Sequence, residues 1–164
     1  MSMLGAPAAI SLHRVGGADL DDVMAIMRVA FDPQFGEAWT RAQCAGILPM
    51  SGVRMILARS NDLPLGFALT RHVADEAELL LLAVSPHVQG QGVGSTLLRD
   101  FIAYGTDAGL SRLHLEVRAS NPAASLYSRH QFVLEGRRPK YYRGTDGQFH
   151  DALTMGRSIV PGIA

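Results

Sequence analysis

The sequence predicts a single α/β (α+β) domain, in which a mixed, mostly antiparallel sheet of about seven strands carries helices on both faces. Segments with strand periodicity alternate with amphipathic helical segments in the order β-α-α-β-β-β-α-β-α-β-β. The chain has 164 residues, of which 48% are hydrophobic and 18% charged. This is the length of one domain and supplies enough apolar material for a buried core. We therefore expect one domain over residues 1–164, with an ordered core from about residue 9 to 160.

The first third of the chain predicts one strand followed by two helices. Residues 9–15 alternate loosely and indicate the strand. Apolar residues then recur at helical spacing after Asp19, a suitable N-cap, until Asp32-Pro33 ends the helix. Thr40 is placed to cap a second, shorter helix that ends near residues 47–48.

The middle of the chain predicts a hairpin and a buried central strand. Residues 53–59 and 65–71 have strand character and flank the turn sequence Asn61-Asp62-Leu63-Pro64. The segment Glu76–Val84 is almost continuously apolar toward its end, which is typical of a central strand.

The last part alternates helices and strands. A helix is expected from Val93 to about Ala108, closed by Gly109, and Asn121-Pro122 opens another. Between them, Arg112–Arg118 reads as a strand with two distinct faces. Leu113, Leu115 and Val117 share one face, while His114, Glu116 and Arg118 share the other. Residues 132–137 and 152–159 are the expected closing strands.

Composition argues against several classes of partner. Lys plus Arg and Asp plus Glu each number 15, so no net charge favours nucleic acid or a membrane surface. Cys44 is the single cysteine, which suits a reducing cytoplasm. The cysteine and six histidines lack metal-ligand spacing, and we expect no metal. The first residues contain neither a basic region nor a long apolar run, so no signal peptide is expected.

The segment from Gln89 to Ser95 is the most informative in the chain. It reads Q-G-Q-G-V-G-S and joins the central strand to the long helix. Glycines at 90, 92 and 94 allow backbone N–H groups to approach a ligand, and the helix directs its positive end to the same place. The arrangement suits a pyrophosphate. No Lys follows for a Walker loop, and the glycine spacing differs from the dinucleotide fingerprint G-x-G-x-x-G.

The motif Q-x-x-G-x-G, after a strand that ends in A-V-x-P, resembles the acetyl-coenzyme A loop of the GNAT superfamily of N-acetyltransferases. The segment L-E-V-R-A-S-N at 115–121 resembles the strand-to-helix element of the same superfamily. The segments E-G-R-R at 135–138 and Y-Y at 141–142 are similar to the bacterial ribosomal-protein-alanine N-acetyltransferases. The resemblance covers nearly the whole chain and implies a GNAT fold whose sheet splays at the acetyl-coenzyme A site.

The resemblance also implies roles for individual residues. The backbone of Leu82, Ala83 and Val84 would pair with the pantetheine arm of acetyl-coenzyme A, and Asn121 would hydrogen-bond to it. The pyrophosphate would lie on the loop residues Gln89, Gly90, Gln91, Gly92, Val93, Gly94 and Ser95. Glu116 would be the general base and Tyr127 the acid that protonates the departing thiolate. Glu78, on the central strand, is a rival base.

Two positions depart from the family pattern. Six residues separate Asn121 from Tyr127, where the family usually has seven, and one helical residue is a rotation of about 100°. Tyr127 therefore points either at the thiolate or into the core. Gln131 stands where the family usually has glycine, and a left-handed backbone there would cost about 1–2 kcal/mol.

These observations predict an N-acetyltransferase that passes the acetyl group from acetyl-coenzyme A directly to a primary amine. A protein N-terminus, such as the alanine of a ribosomal protein, is the favoured acceptor, and a small-molecule amine is the alternative. An acyl-coenzyme A-binding regulatory module without catalysis is the rival from another class. The protein is expected to be a monomer or a homodimer.

Overall fold

The computed structural model describes residues 9–159, which form seven strands and four helices. The strands are β1 (Ser11–Arg14), β2 (Val53–Ser60), β3 (Leu63–Val73), β4 (Glu76–Val84), β5 (Arg112–Arg118), β6 (Val133–Arg143) and β7 (Phe149–Ser158). The helices are α1 (Leu20–Ala30), α2 (Arg41–Ile47), α3 (Val93–Asp107) and α4 (Ala123–Arg129). The order of elements agrees with the order predicted from the sequence.

The strands form one sheet in the order β1-β2-β3-β4-β5-β7-β6. Every neighbouring pair is antiparallel except β4 and β5, which are parallel. A parallel neighbour requires a crossover connection, and the glycine loop with α3 provides it. The predicted mixed, mostly antiparallel sheet is confirmed.

Two apolar clusters lie on opposite faces of the sheet, as expected for helices on both sides. One face packs against α1 and α2 through residues such as Val23, Met27 and Cys44. The other packs against α3 and α4 through residues such as Leu98, Phe101 and Tyr127. The side chains of β5 divide between its two faces as predicted, and its three apolar residues belong to the cluster under α3 and α4.

A β-bulge in β4 changes which face its side chains occupy. Leu79 is paired with Thr70 and Leu81 with Leu69, so Leu80 is an extra residue on β4. Before the bulge, Leu79 belongs to the cluster under α3 and α4, whereas Leu81 after it belongs to the cluster under α1 and α2. The continuous apolar run of β4 is thus divided between both cores.

The predicted helix caps have different outcomes. Thr40 caps α2 as expected, with its hydroxyl accepting from the Gln43 N–H (3.2 Å) and the Gln43 amide accepting from the Thr40 N–H (2.8 Å). Asp19 is the N-cap residue of α1 as predicted, but its side chain makes no capping hydrogen bond to α1. Its carboxylate accepts instead from the Gly16 N–H (2.9 Å), at the start of the single 3₁₀ turn that precedes α1.

Several predicted boundaries change in the structure. The turn between β2 and β3 contains only Asn61 and Asp62, both with positive φ (48° and 65°), so Leu63 and Pro64 belong to β3. This two-residue turn is the tightest hairpin connection. The closing strands are longer than expected because they pair with each other as far as Arg143 and Phe149.

Gln131 adopts the left-handed conformation that its position in the family pattern suggested, with a φ of 63°. It follows His130, the C-cap residue of α4, at a position where glycine commonly ends a helix. Its side chain is held by the Arg129 carbonyl oxygen (3.1 Å) and by Arg157 (3.2 Å). These hydrogen bonds offset part of the backbone strain.

Candidate active site

The sheet opens between β4 and β5, and this opening creates the site. The two strands are paired only from Glu76 with Arg112 to Leu79 with Leu115. Beyond that point β4 continues to Val84 while β5 diverges, which leaves the β4 backbone unpaired on that side. An unpaired strand edge can accept an extended ligand as an additional strand.

A groove of about 690 Å³ follows this free edge and reaches the start of α3. It contains most of the residues that the sequence assigned to acetyl-coenzyme A, namely Leu82, Ala83, Val84, Gln89, Gly90, Gly92, Val93, Gly94, Ser95 and Asn121. Gln91 is different, because it lines a separate hollow beside the β2–β3 turn. Arg129 of α4 also lines the groove and supplies a cation that the sequence analysis did not assign.

The glycine loop has the backbone geometry of an anion site. Gly90 and Gly92 have φ values of 80° and 87°, and a Cβ atom at either position would meet open space. Gly92 caps α3 without a side-chain hydrogen bond, so the N–H groups of the first helical turn are free to bind a ligand. Gly94 serves packing, because its Cβ would lie 3.1 Å from Leu126 of α4.

A second, smaller cavity adjoins the groove and shares Phe31, Glu37, Leu82 and Asn121 with it. Glu116 and Tyr127, the two residues proposed for proton transfer, both line this inner cavity, and so does Glu78. Glu116 projects from the face of β5 opposite the cluster that contains Tyr127. The opening of the sheet is what lets side chains from its two faces meet in one cavity.

The carboxylate of Glu116 is held at both oxygens. Thr154 of β7 donates a hydrogen bond to Oε2 (2.7 Å), and Nε of Arg138 lies 2.9 Å from Oε1. The two arginines of the same strand are not bound to it, because Arg118 pairs with Glu37 and Arg112 pairs with Glu76 and Glu135. Only 9% of the Glu116 side chain is exposed, whereas 61% of Arg138 is exposed.

Tyr127 is both a core residue and a cavity residue. Its ring packs edge-on against Phe132, with 6.2 Å between ring centroids, while the residue lines the inner cavity. Burial, reinforced by the negative charge of Glu37, raises the pKa of Tyr127 well above its ordinary value near 10. The phenol is therefore fully protonated at neutral pH and is available as a donor.

A bulge in β6 brings two further tyrosines into the inner cavity. Arg138 pairs with Ala152 and Tyr142 with His150, so three residues of β6 lie opposite Asp151 alone. Tyr141 and Tyr142 consequently both line the cavity, although successive residues of a regular strand point to opposite faces. Burial and the charges of nearby glutamates raise the pKa of both phenols.

A buried ion pair joins the groove to the inner cavity. Nε of Arg118 lies 3.0 Å from Oε1 of Glu37, and each side chain is only 9% exposed. The Arg118 guanidinium also stacks on Phe35, 3.5 Å from the ring centroid. Asn121 donates to Glu37 (3.2 Å) and accepts from the Ala123 N–H (2.9 Å), so its amide is already bonded within the protein.

Sequence reasoning missed Glu37 because 81 residues separate it from Arg118 and nothing local to it indicates a partner. Thr154 and Arg138 were missed for the same reason, since strand register alone places them beside Glu116. Pro139 was a usable signal, because proline within a strand indicates an edge strand or a bulge.

Comparison with known proteins agrees with this geometry. The model of the acetyltransferase (GNAT) family matches residues 20–132. The chain belongs to this family. The part matched includes the glycine loop, β5 and α4, and thus most of the groove and the residues proposed for proton transfer.

Among curated proteins, the chain is similar to the [ribosomal protein bS18]-alanine N-acetyltransferases of Escherichia coli K12 and Haemophilus influenzae. The first is 45% identical over 94 residues, which cover 57% of this chain and 63% of the relative. The second is 38% identical over 95 residues, which cover 58% and 65%. These matches span slightly less than two thirds of the length of the relatives.

Among solved structures, the chain is similar to the ribosomal-protein-S18-alanine N-acetyltransferase of Escherichia coli. The TM-score is 0.82 at 32% identity, over 94% of this chain and 97% of that one. Arabidopsis thaliana NAA60, solved with a bisubstrate analogue, gives a TM-score of 0.81 at 19% identity, over 94% and 100% of the two chains. This second likeness concerns the fold alone.

Two further features concern only residues 9–159. No helix in this range has both the length and the apolar character needed to cross a membrane. The same residues include no group of three or more His, Cys, Asp or Glu side chains placed to hold a metal ion.

Proposed function

We propose that this GNAT-family protein transfers the acetyl group of acetyl-coenzyme A to a protein N-terminal amine, with the alanine of a ribosomal protein as the favoured acceptor. One observation carries the proposal. Glu116 and Tyr127 line a single cavity that joins a groove ending in a glycine loop and a helix N-terminus. The names of the relatives support the choice of acceptor.

In the proposed reaction, acetyl-coenzyme A lies in the groove with its pyrophosphate on the loop from Gln89 to Ser95 and its pantetheine arm along Leu82–Val84. The amine enters the inner cavity and attacks the thioester carbonyl directly. The new C–N bond forms as the C–S bond breaks, and Tyr127 donates a proton to the departing thiolate. The nitrogen then releases its second proton, which returns through water to the Tyr127 phenolate. The products are the acetylated amine and coenzyme A, and no acyl-enzyme forms.

Glu116 is the proposed base, and it acts through water to remove the proton of the ammonium form. An α-amino group has a pKa of about 7.7–8.0, compared with about 10.4 for lysine. A carboxylate is therefore a sufficient base for an N-terminus near neutral pH. Neighbouring carboxylates in the cavity also favour the approach of a cation.

Turnover measurements with matched acceptors test the proposal. Acetyl-coenzyme A is supplied with a peptide that begins with alanine, with the same peptide blocked at its N-terminus, or with small amines, and thiol release is followed together with product mass. Only the free peptide should be acetylated rapidly. Faster acetylation of the small amines would mean that they, and not the peptide, are the acceptors. Binding of acetyl-coenzyme A without turnover would indicate an acyl-coenzyme A-binding module without catalysis.

A substitution separates the two candidate bases. Glu116→Gln should lower kcat by about 10²–10⁴ at neutral pH while the affinity for acetyl-coenzyme A is retained. A higher pH should restore part of the rate, because more of the amine is then neutral. If Glu78→Gln behaves in this way and Glu116→Gln does not, the base lies on β4.

A further inference from the structure

Thr154 lies directly behind Glu116 in the sheet. The two residues are paired across the antiparallel strands β5 and β7, and the Thr154 hydroxyl donates to Oε2 of Glu116 at 2.7 Å. Side chains of directly paired residues lie side by side on one face of a sheet. Thr154 is not among the described residues that line the inner cavity, so it reaches the carboxylate from the protein side.

The two oxygens of Glu116 are therefore held by one partner at the exposed rim and one partner within the sheet. Arg138 holds Oε1 from the rim, where 61% of its side chain is exposed, and it belongs to the bulged part of β6. Thr154 holds Oε2 from a regular part of the β5–β7 pairing. A threonine side chain is branched at Cβ and has few rotamers, whereas an arginine loses considerable freedom when it is held.

We propose that Thr154 is a positioning residue for the base, which keeps Oε1 of Glu116 directed into the inner cavity when Arg138 moves away. The inference rests on the proposed function of Glu116. A water or amine that enters the cavity competes with the exposed Arg138 for Oε1. The hydrogen bond from Thr154 does not compete with it, because this bond uses the other oxygen.

Removal of the hydroxyl has a definite consequence. In Thr154→Val, Arg138 is the only partner of the carboxylate that remains among residues 9–159, and it draws the carboxylate toward the rim, away from the incoming amine. We expect kcat to fall about tenfold, the effect of losing one hydrogen bond to a charged group. The KM for acetyl-coenzyme A should stay unchanged, because Thr154 does not line the groove.

Two matched variants complete the test. Thr154→Ser keeps the hydroxyl and should retain kcat within about threefold of the natural protein, at most about half of the loss in activation free energy expected for valine. Thr154→Ala removes the hydroxyl without placing a methyl group against the carboxylate, and should match valine. Thermal stability and acetyl-coenzyme A affinity, measured on each variant, identify any that fails to fold. Equal kcat in valine, alanine and serine variants would overturn the proposal.

Measuring Thr154→Val in the Glu116→Gln variant separates a failure of this proposal from a failure of the base assignment for Glu116. If Thr154 acts through Glu116, adding Thr154→Val to that background should cause no further loss of kcat. A full tenfold loss in both backgrounds would mean that Thr154 acts elsewhere, and the proposal would fail alone. If Glu116→Gln itself retained the natural rate, the base assignment would fail, and the inference with it.

Discussion

Gly92 allows a test at a single residue of whether the glycine loop binds acetyl-coenzyme A. Its φ is 87°, a Cβ there would meet open space, and the residue itself lines the groove. Acetyl-coenzyme A at 100 times its Kd should stabilise the natural protein by about 2.7 kcal/mol. We expect this stabilisation, measured as a shift in Tm, to be mostly lost in Gly92→Ala.

Gly109 provides the matched control. It also has positive φ (70°) and open space at the Cβ position, but it ends α3 at the opposite end from the groove. Gly109→Ala should carry the same backbone cost, about 1–2 kcal/mol, and keep the full Tm shift with acetyl-coenzyme A. Equal shifts in the two variants would exclude Gly92 from the site.

Tyr127 is the residue whose predicted role was most open, because its spacing from Asn121 is one residue short. The structure places it in the core cluster and on the cavity wall at once. Tyr127→Phe removes the hydroxyl and leaves the packing against Phe132. We expect slower thioester cleavage, by about 10²-fold or more, with unchanged Tm. Wild-type turnover in Tyr127→Phe would transfer the donor role to another group, such as Tyr142 or water.

Sequence reasoning correctly placed the segments whose conformation depends on local chain geometry. The loop from Gln89 to Ser95 lies between a strand and a helix that both have clear periodicity, so its position at their junction followed directly. Gln91 shows the limit of this reasoning. It lies between two glycines of the motif, yet the turn directs it to a different hollow, since a one-dimensional pattern does not specify side-chain direction in an irregular loop.

Among the elements, β6 departs most from its expected form. It extends to Arg143, well beyond the predicted end at residue 137, and its bulge determines where Arg138, Tyr141 and Tyr142 point. Asp151 stabilises this bulge by accepting from the Lys140 N–H (2.9 Å) and from Arg137 (2.7 Å). Such a feature depends on pairing with β7, which local propensity does not reveal.

The contribution of Asp151 to stability, made through the β6 bulge, should depend on pH. The Lys140 N–H, followed by Arg137, holds the pKa of Asp151 below its ordinary value. A carboxyl group whose pKa is lower in the folded state contributes stability above its unfolded pKa of about 3.9 and loses it as the pH falls through the folded value. We expect Asp151→Asn to be less stable than the natural protein at pH 5–7, and the difference in Tm to shrink as the pH falls below the unfolded pKa of about 3.9. A Tm difference that is constant with pH would contradict this explanation.

At the scale of the whole molecule, the pair Glu37–Arg118 holds the segment between α1 and α2 against β5. Its two charges are almost fully removed from water, at 9% exposure each, and the Asn121 amide and the Phe35 ring complete the cluster. Since Glu37 lines both the groove and the inner cavity, this contact also lies at the junction of the two. No sequence pattern connects positions 37 and 118, so the contact becomes visible only in the folded chain.

Breaking one side of this pair should destabilise the whole domain. Glu37→Gln leaves the Arg118 charge buried without its counter-ion, and the expected cost is about 3–5 kcal/mol in the free energy of unfolding, measured with urea. Arg118→Met should cost a similar amount, because it leaves the Glu37 charge alone.

The double variant Glu37→Gln/Arg118→Met tests whether the ion pair itself stabilises the fold. The alternative is that each single variant is destabilised only because one buried charge has lost its partner. With no charge left buried, the double variant should recover most of the loss, because the attraction between two buried charges only roughly offsets their desolvation. Recovered stability combined with a raised KM for the acceptor peptide would show that the pair is retained to shape the junction of the two cavities. Additive losses in the double variant would instead mean that the two side chains stabilise the domain independently, through contacts other than the one between them.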